Sequence, residues 1–411
     1  MSVVIDRHEV HDSLADDVRD GLSRSLKELP PKYFYDERGS LLFDQITSLP
    51  EYYPSRCERE ILNRHAPAIV ERAGAEELVE LGSGTASKTR ALLYAMAGQG
   101  SLERYVPFDV DESVVHACAS ELTEIYPGLD VHGVVGDFAR DLERIPGGRQ
   151  RLFAFLGGTI GNLYPAERAR FLGRIRRLMG RGDRLVIGTD LVKDRAVLEA
   201  AYNDSAGLTA EFNRNVLQVI NAGLDADFRT EAFEHVAFFD EANSWIEMRL
   251  RANGAQAVRI DGADLELTFA DGEEIRTEIS AKFTRDAVER ELHVAGLVLD
   301  DFFTDGVGLF GLAFASPRWL HGRAWCATPS RYGSRLWGIR SPCPLHARGG
   351  SGGARGEAEG RRPRARSRAQ ACGEHQGGPA RGDRTRSSRR RDQGPPGRRG
   401  QHQDRPALAA N

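Results

Sequence analysis

The chain has 411 residues, and 56 Lys and Arg against 60 Asp and Glu give it a formal charge of −4. That balance hides a break: residues 317–411 carry 21 Arg, no Lys and 6 acidic residues, a net of +15, which leaves the preceding 316 residues at −19. An acidic body argues against a nucleic-acid-binding core, since phosphate contacts need a surplus of cations, and no apolar run approaches the ~18 residues of a membrane-spanning helix. The five cysteines, Cys57, Cys118, Cys326, Cys343 and Cys372, show neither a metal-ligand spacing nor a disulfide framework. The N-terminus lacks a secretory pattern, so a cytoplasmic location is expected.

In chain order, Leu14, Val18, Leu22 and Leu26 recur every four residues and predict a first helix, which Leu29-Pro30-Pro31 ends. Turn-rich segments follow, with Tyr33, Tyr35, Tyr52 and Tyr53. Clustered tyrosines can line a polar pocket, although spacing alone favours ordinary aromatic packing. Pro54 marks the start of a helix over 55–73. From Glu76 short apolar runs alternate with helices: strands are expected at 78–81, 105–110, 131–136, 152–156 and 184–188, with helices through Leu92-Leu93, over 112–125 and over 166–179. This alternation predicts a parallel sheet wound on both faces, with the ligand at the carboxyl ends of its strands. Near Asp190 it stops. Helices around 196–202 and 209–220 lead into period-2 runs at 234–239, 244–251, 257–260 and 265–269, with Asn253-Gly254 and Asp271-Gly272 as hairpin-type turns. They predict one antiparallel sheet inserted into the larger fold. A helix over 285–295 and strands at 297–303 and 308–315 close the body. The remainder, 317–411, is rich in Arg, Gly and Pro and poor in large aliphatics, so it is expected to be disordered. The body itself uses only five lysines against 30 arginines, and the extension reads as an out-of-frame or readthrough product without function.

The glycine loop carries the first chemistry. Gly82-Ser-Gly84 follows a strand, and Asp109 at the end of the next strand can hold two ribose hydroxyls. Dinucleotides, flavins and S-adenosylmethionine share that signal. Two details favour S-adenosylmethionine: Ser87 stands where a dinucleotide fingerprint has its third glycine, and Asp137-Phe138 offers an acceptor for an adenine amine beside a ring to pack it.

Tyr33-Phe-Tyr-Asp-Glu-Arg-Gly-Ser-x-Leu-Phe, Leu49-Pro-Glu-Tyr-Tyr-Pro, Glu80-Leu-Gly-Ser-Gly-Thr-Ala-Ser-Lys, Phe155-Leu-Gly-Gly-Thr-Ile-Gly-Asn and Thr277-Glu-Ile-Ser280 together resemble the histidine-specific Nα-methyltransferase family of ergothioneine biosynthesis, over about residues 8–316. The resemblance implies an α/β fold: a class I methyltransferase (Rossmann-like) doubly wound sheet with an inserted α+β substrate-binding domain. The cofactor-binding domain would be 57–190 plus 283–316, and the substrate-binding domain 1–56 plus 191–282. It implies three successive methyl transfers to the α-amine of L-histidine, giving hercynine, with S-adenosylmethionine as methyl donor and no metal. A monomer is expected, with neither nucleic acid nor membrane as partner.

By the same resemblance the cofactor contacts Gly82, Gly84, Lys88, Asp109, Asp137 and Phe138. Histidine would sit against Tyr52, Asn162, Tyr202, Glu278 and Ser280, with Tyr35 near the amine and Met248 lining the ring pocket; Tyr35 and Asn162 are the catalytic candidates. Residue types fit these roles. Glu278 and Ser280, two apart on a strand, face one side and can hold both imidazole nitrogens; Asn162 suits an amino-acid head group; Tyr52 and Tyr202 can donate to its carboxylate. No histidine or carboxylate stands out as acceptor of the amine proton. Two other readings stay open: a relative acting on free tryptophan or tyrosine, and a nicotinamide-dependent oxidoreductase, which Ser87 and the late strand pair oppose.

Overall fold

Alternate side chains of the central strands point into two separate cores, and this makes the sheet a two-sided wall. Leu78, Tyr105, Val131, Leu152, Ala154 and Val186 pack into one core with helices Tyr53–Ala73, Arg90–Gln99 and Glu112–Ile125. Val79, Val106, Val134, Phe153 and Leu185 pack into the other with helices Pro165–Leu178 and Arg285–Val294. Burial on both faces is why these strands read as nearly unbroken apolar runs; all five residues of Arg151–Phe155 are buried.

The computed structural model describes residues 3–7, 14–84, 86–138 and 140–319. The extension expected to be disordered lies, from residue 320 onward, outside the described residues, as do Cys326, Cys343 and Cys372. The main sheet has eight strands in the order Val3–Arg7, Asp130–Val135, Arg104–Asp109, Glu77–Leu81, Arg151–Phe155, Arg184–Asp190, Phe310–Pro317, Leu297–Thr304. The first six run parallel, and Phe310–Pro317 is antiparallel to both its neighbours. The doubly wound α/β sheet with a late antiparallel pair is therefore as expected. Val3–Arg7 is an addition: it pairs in parallel with Asp130–Val135 and so joins the large sheet, not the smaller one with which residues 1–56 were grouped.

Turn chemistry was legible in the inserted segment, but strand pairing was not. Its strands form two sheets, not one. Lys27–Glu28, Glu274–Ala281, Trp245–Ala252 and Phe233–Asp240 make a four-stranded sheet, and Gln256–Ile260 pairs with Leu265–Phe269 in a separate two-stranded sheet, with a single bridge from Ile260 to Ala226. Gly254 and Gly272 do turn the chain, at φ of 85° and 77°. Each links strands of different sheets, and the two turns lace together through Gly254 N–H to Asp271 Oδ1 (2.8 Å) and Gly272 N–H to the Ala252 carbonyl (2.9 Å). Hydrogen bonds between turns here replace the hairpin ladder that each turn alone would favour. A helix at Glu37–Thr47 also went unforeseen in the turn-rich stretch; Asp36 caps it, its Oδ1 accepting from Gly39 N–H at 2.7 Å.

Candidate active site

Five strand ends of the main sheet deliver the site. The turn after Glu77–Leu81 is tied to the next strand by Gly82 N–H and Ser83 N–H, both donating to the Phe108 carbonyl at 2.8 and 3.2 Å. Gly82 and Gly84 have φ of 71° and 47°, the left-handed region in which a side chain is strained. A Cβ on either would meet nothing within 4 Å, so these glycines are required by the turn's conformation rather than by a crowding neighbour. Gly84 N–H donates to Asp109 Oδ2 at 2.8 Å. Burial raises the Asp109 carboxyl above its ordinary value, against the hydrogen bonds that favour its charge.

Asp137 follows the Asp130–Val135 strand; its N–H donates to Asp141 Oδ2 at 2.9 Å, and Lys32 Nζ approaches its carboxylate at 3.6 Å. Phe138 stands edge-on to Phe155 and Phe171, with centroids at 5.5 and 5.7 Å. Thr159–Asn162 is a short 3-10 turn after Arg151–Phe155, and Asn162 Nδ2 donates to the Ile279 carbonyl at 3.1 Å. That bond joins the main sheet to the inserted one.

From the inserted sheet come Glu278, Ser280 and Met248, with Met248 the cross-strand partner of Glu278. Burial pushes the Glu278 carboxyl up to about 7, while Asn162 and the Lys282 ammonium pull against that rise. Ser280 Oγ lies 2.7 Å from Tyr202 OH. The four tyrosines divide. Tyr35 and Tyr52 face the cavity, whereas Tyr33 OH donates to Asp17 (2.7 Å) and Tyr53 OH to Asp190 (2.9 Å). Tyr35 meets Phe43 and Phe212 edge-on, at 5.6 Å each, and Phe43 meets Tyr52 at 6.0 Å. Burial, then the Glu278 charge, drives the Tyr35 phenol well above its ordinary value. All thirteen expected positions line a single cavity of about 620 Å³: Tyr35, Tyr52, Gly82, Gly84, Lys88, Asp109, Asp137, Phe138, Asn162, Tyr202, Met248, Glu278 and Ser280. One end offers a glycine turn and strand-end carboxylates, the other a carboxyl, an amide and hydroxyls, a layout suited to two different polar ligands.

A family model for histidine-specific, S-adenosylmethionine-dependent methyltransferases matches residues 14–317. The chain belongs to this family. It is 53% identical over 306 residues to the histidine N-alpha-methyltransferase of Mycobacterium tuberculosis, covering 74% of this chain and 95% of that protein. Against the same-named protein of Mycolicibacterium smegmatis it is 52% identical over 304 residues, again 74% of this chain and 95% of that one. Ergothioneine biosynthesis protein 1 of Neurospora crassa matches at 31% over 283 residues, 66% of this chain and 31% of that protein.

Four further residues beside this methyltransferase's candidate site, Glu58, Asp190, Lys193 and Lys282, carry no motif that sequence reading could use. Glu58, fully buried on Tyr53–Ala73, receives Gly157 N–H on both carboxylate oxygens (2.9 and 2.8 Å) and pairs with Lys88 Nζ at 2.9 Å. Gly188 leaves room for it, since a Cβ there would collide with Glu58 Oε1. Asp190, Lys193 and Lys282 form a buried charge cluster beside Tyr202. Ser83 Oγ is buried in the glycine turn with no hydrogen-bond partner among the described residues.

Proposed function

We propose that this methyltransferase carries methyl groups from S-adenosylmethionine to the α-amine of L-histidine, three in succession, giving hercynine, the first step of ergothioneine biosynthesis. The observation that carries the substrate assignment is the half-buried Glu278 carboxyl, two residues from Ser280, in the cavity that also holds the glycine turn.

The donor's place is supported by the turn itself. Open space at Gly82 and Gly84 and a Ser83 Oγ without a partner among the described residues fit a ligand that brings its own polar atoms. Asp109 would take the ribose hydroxyls, its two oxygens held in place by the Gly84 and Asp111 N–H groups (2.8 and 3.2 Å). Asp137 and Phe138 would meet the adenine, and Lys88, steadied by Glu58, the donor's own carboxylate. S-adenosylmethionine supplies an activated methyl on a sulfonium sulfur.

The protein's own residues then have a positioning task. Glu278 and Ser280 hold the two ring nitrogens; Asn162 and Tyr52 hold the amino-acid carboxylate, with Tyr202 beside them against Ser280; Met248 packs against the ring; and Tyr35 stands at the amine. Holding a neutral amine lone pair in line with a methyl carbon is an entropic contribution that can supply several kcal/mol of the barrier. A site built to bond a ring N–H discriminates strongly against side chains that lack one, because its carboxylate would be left unpaired. We divide the labour as 57–190 plus 283–316 for the cofactor and 1–56 plus 191–282 for the substrate, with Val3–Arg7 on the cofactor side. The test is formation of S-adenosylhomocysteine with each free amino acid in turn. Turnover confined to L-histidine is expected; preferential turnover of tryptophan or tyrosine would overturn the assignment.

A further inference from the structure

The entry and exit of the inserted segment cross side by side. Val192 N–H donates to the Phe283 carbonyl (3.0 Å), Phe283 N–H donates to the Asp190 carbonyl (2.8 Å), and Leu191 bridges Phe283. This crossing places Lys282 behind the cavity wall with none of its side chain exposed. An ammonium has three N–H donors and no acceptor, and all three are engaged: Asp190 Oδ2 at 2.9 Å, Ser280 Oγ at 2.8 Å and Tyr202 OH at 3.0 Å. Asp190, Tyr202 and Ser280 line the cavity, whereas Lys282 acts through them. Lys193 is committed elsewhere, to Asp190, the Tyr53 hydroxyl and the Leu191 carbonyl.

Two hydroxyls have two protons between them. Ser280 Oγ and Tyr202 OH share one across their 2.7 Å contact, and both oxygens accept from Lys282. Among the described residues neither has a further acceptor, so one O–H is left for a ligand. When Tyr202 donates to Ser280, the serine oxygen receives two hydrogen bonds, its lone pairs are filled, and it can only donate.

We infer that Tyr202 donates to Ser280 and that Lys282 is a specificity-determining positioning residue: together they turn Ser280 into a pure donor toward the cavity, so that the site takes the neutral imidazole ring of its substrate and rejects the imidazolium. This rests on the histidine reading above. Glu278 accepts from the ring N–H, and Ser280 donates to the bare nitrogen. A second ring N–H would find no acceptor. Residue choice agrees: lysine occurs at only five positions of a chain with 56 Lys and Arg, and three acceptors converging on one point suit a compact ammonium better than a planar guanidinium.

Lys282→Met and Lys282→Arg test this, with S-adenosylhomocysteine affinity as the check on folding. Lys282→Met is expected to raise KM for histidine by about 10- to 100-fold, as loss of charge-assisted hydrogen bonds does, with a smaller change in kcat and none in S-adenosylhomocysteine binding. Lys282→Arg should recover part of the loss. The acid limb of kcat/KM should move to higher pH in Lys282→Met. Glu278 is faced by the Asn162 amide, the Lys282 cation and the hydroxyls of Tyr35, Tyr52 and Tyr202, and burial holds all three phenols protonated. Removing the one cation therefore raises the Glu278 carboxyl further, which a merely structural loss would not do. Independently of any variant, ring-labelled 15N-histidine bound to wild type with S-adenosylhomocysteine should show one protonated and one bare ring nitrogen at pH 6. Two protonated nitrogens, or an unchanged KM in a folded Lys282→Met, would overturn the inference while leaving histidine as substrate. A wild-type enzyme that neither binds nor methylates histidine would sink the reading beneath it.

Discussion

Glu278 shows how one residue can set the pH behaviour of the reaction. Its carboxyl is pushed up to about 7 by burial, so in the free enzyme the carboxylate fraction falls as pH drops through 7. The histidine ring takes up its own proton near its ordinary value of about 6.5. Both changes act against capture of a neutral ring, so kcat/KM for histidine should fall with decreasing pH below 7, more steeply than one titration alone, while S-adenosylhomocysteine affinity stays level. Glu278→Ala removes the acceptor and is expected to lower kcat/KM by about 2–5 kcal/mol, the range for truncating one partner of a buried charged hydrogen bond. In its proposed place at the amine, Tyr35 would offer a hydroxyl at neutral pH and not a phenolate, its phenol being raised above its ordinary value. Glu278, Ser280 and Asn162 were legible only because they sit in contiguous motifs resembling a family; by spacing alone Glu278 reads as a solvated strand residue. Glu58 and Lys282 stayed hidden because their partners lie far along the chain, as Gly157 and Tyr202 do, at separations of 99 and 80 residues.

At the scale of elements, the helix Tyr53–Ala73 and the strand Arg184–Asp190 meet where Gly188 faces Glu58. Gly188→Ala would displace that carboxylate and release both Gly157 N–H and Lys88. A several-fold weaker S-adenosylhomocysteine affinity is expected by calorimetry, with no change in the Glu278 acid limb. The helix Leu208–Leu224 and the strand Phe233–Asp240 are joined through His235. Its Nδ1 lies 2.8 Å from Asn213 Nδ2 and its Nε2 lies 2.8 Å from the Tyr202 carbonyl. An amide donor on one side and a carbonyl on the other assign the neutral ring, protonated at Nε2. Burial lowers the His235 value below the ordinary 6.5, against the Tyr202 bond. Because the unfolded chain binds the proton first, this contribution to stability is full above 6.5 and is lost as pH falls below it. Urea denaturation of His235→Gln should show a deficit against wild type that narrows from pH 7.5 to pH 5. Elements of this kind were mostly readable from periodicity, since helix Glu112–Ile125 and five of the six parallel strands, all but Val3–Arg7, follow from their apolar spacing. The pairings of Gln256–Ile260 and Leu265–Phe269 were not, because turn residues say where a chain reverses and not which strand it returns to.

Across the whole molecule, the −19 body is where the cavity and nearly all of the sheet and the family match lie, and the first residues of the extension are fastened to it. Arg318 N–H donates to the Gly296 carbonyl at 2.8 Å, and the Arg176 guanidinium stacks 4.5 Å from the Trp319 ring. A chain ending at Trp319 should therefore keep kcat, KM and melting temperature, whereas cutting within Phe310–Pro317 removes a strand bonded on both edges. The composition break near residue 317 was visible in the sequence as a change in charge and lysine use; the anchoring of Arg318 and Trp319 past it was not, since both look like members of the Arg-rich extension. The central claim is Nα-trimethylation of histidine, and product analysis reaches it most directly. With L-histidine and excess S-adenosylmethionine, tandem mass spectrometry should find three methyl groups on the α-nitrogen and none on the ring, with three S-adenosylhomocysteine formed per product. Methyl groups on a ring nitrogen, or no histidine product while another amino acid is methylated, would contradict it.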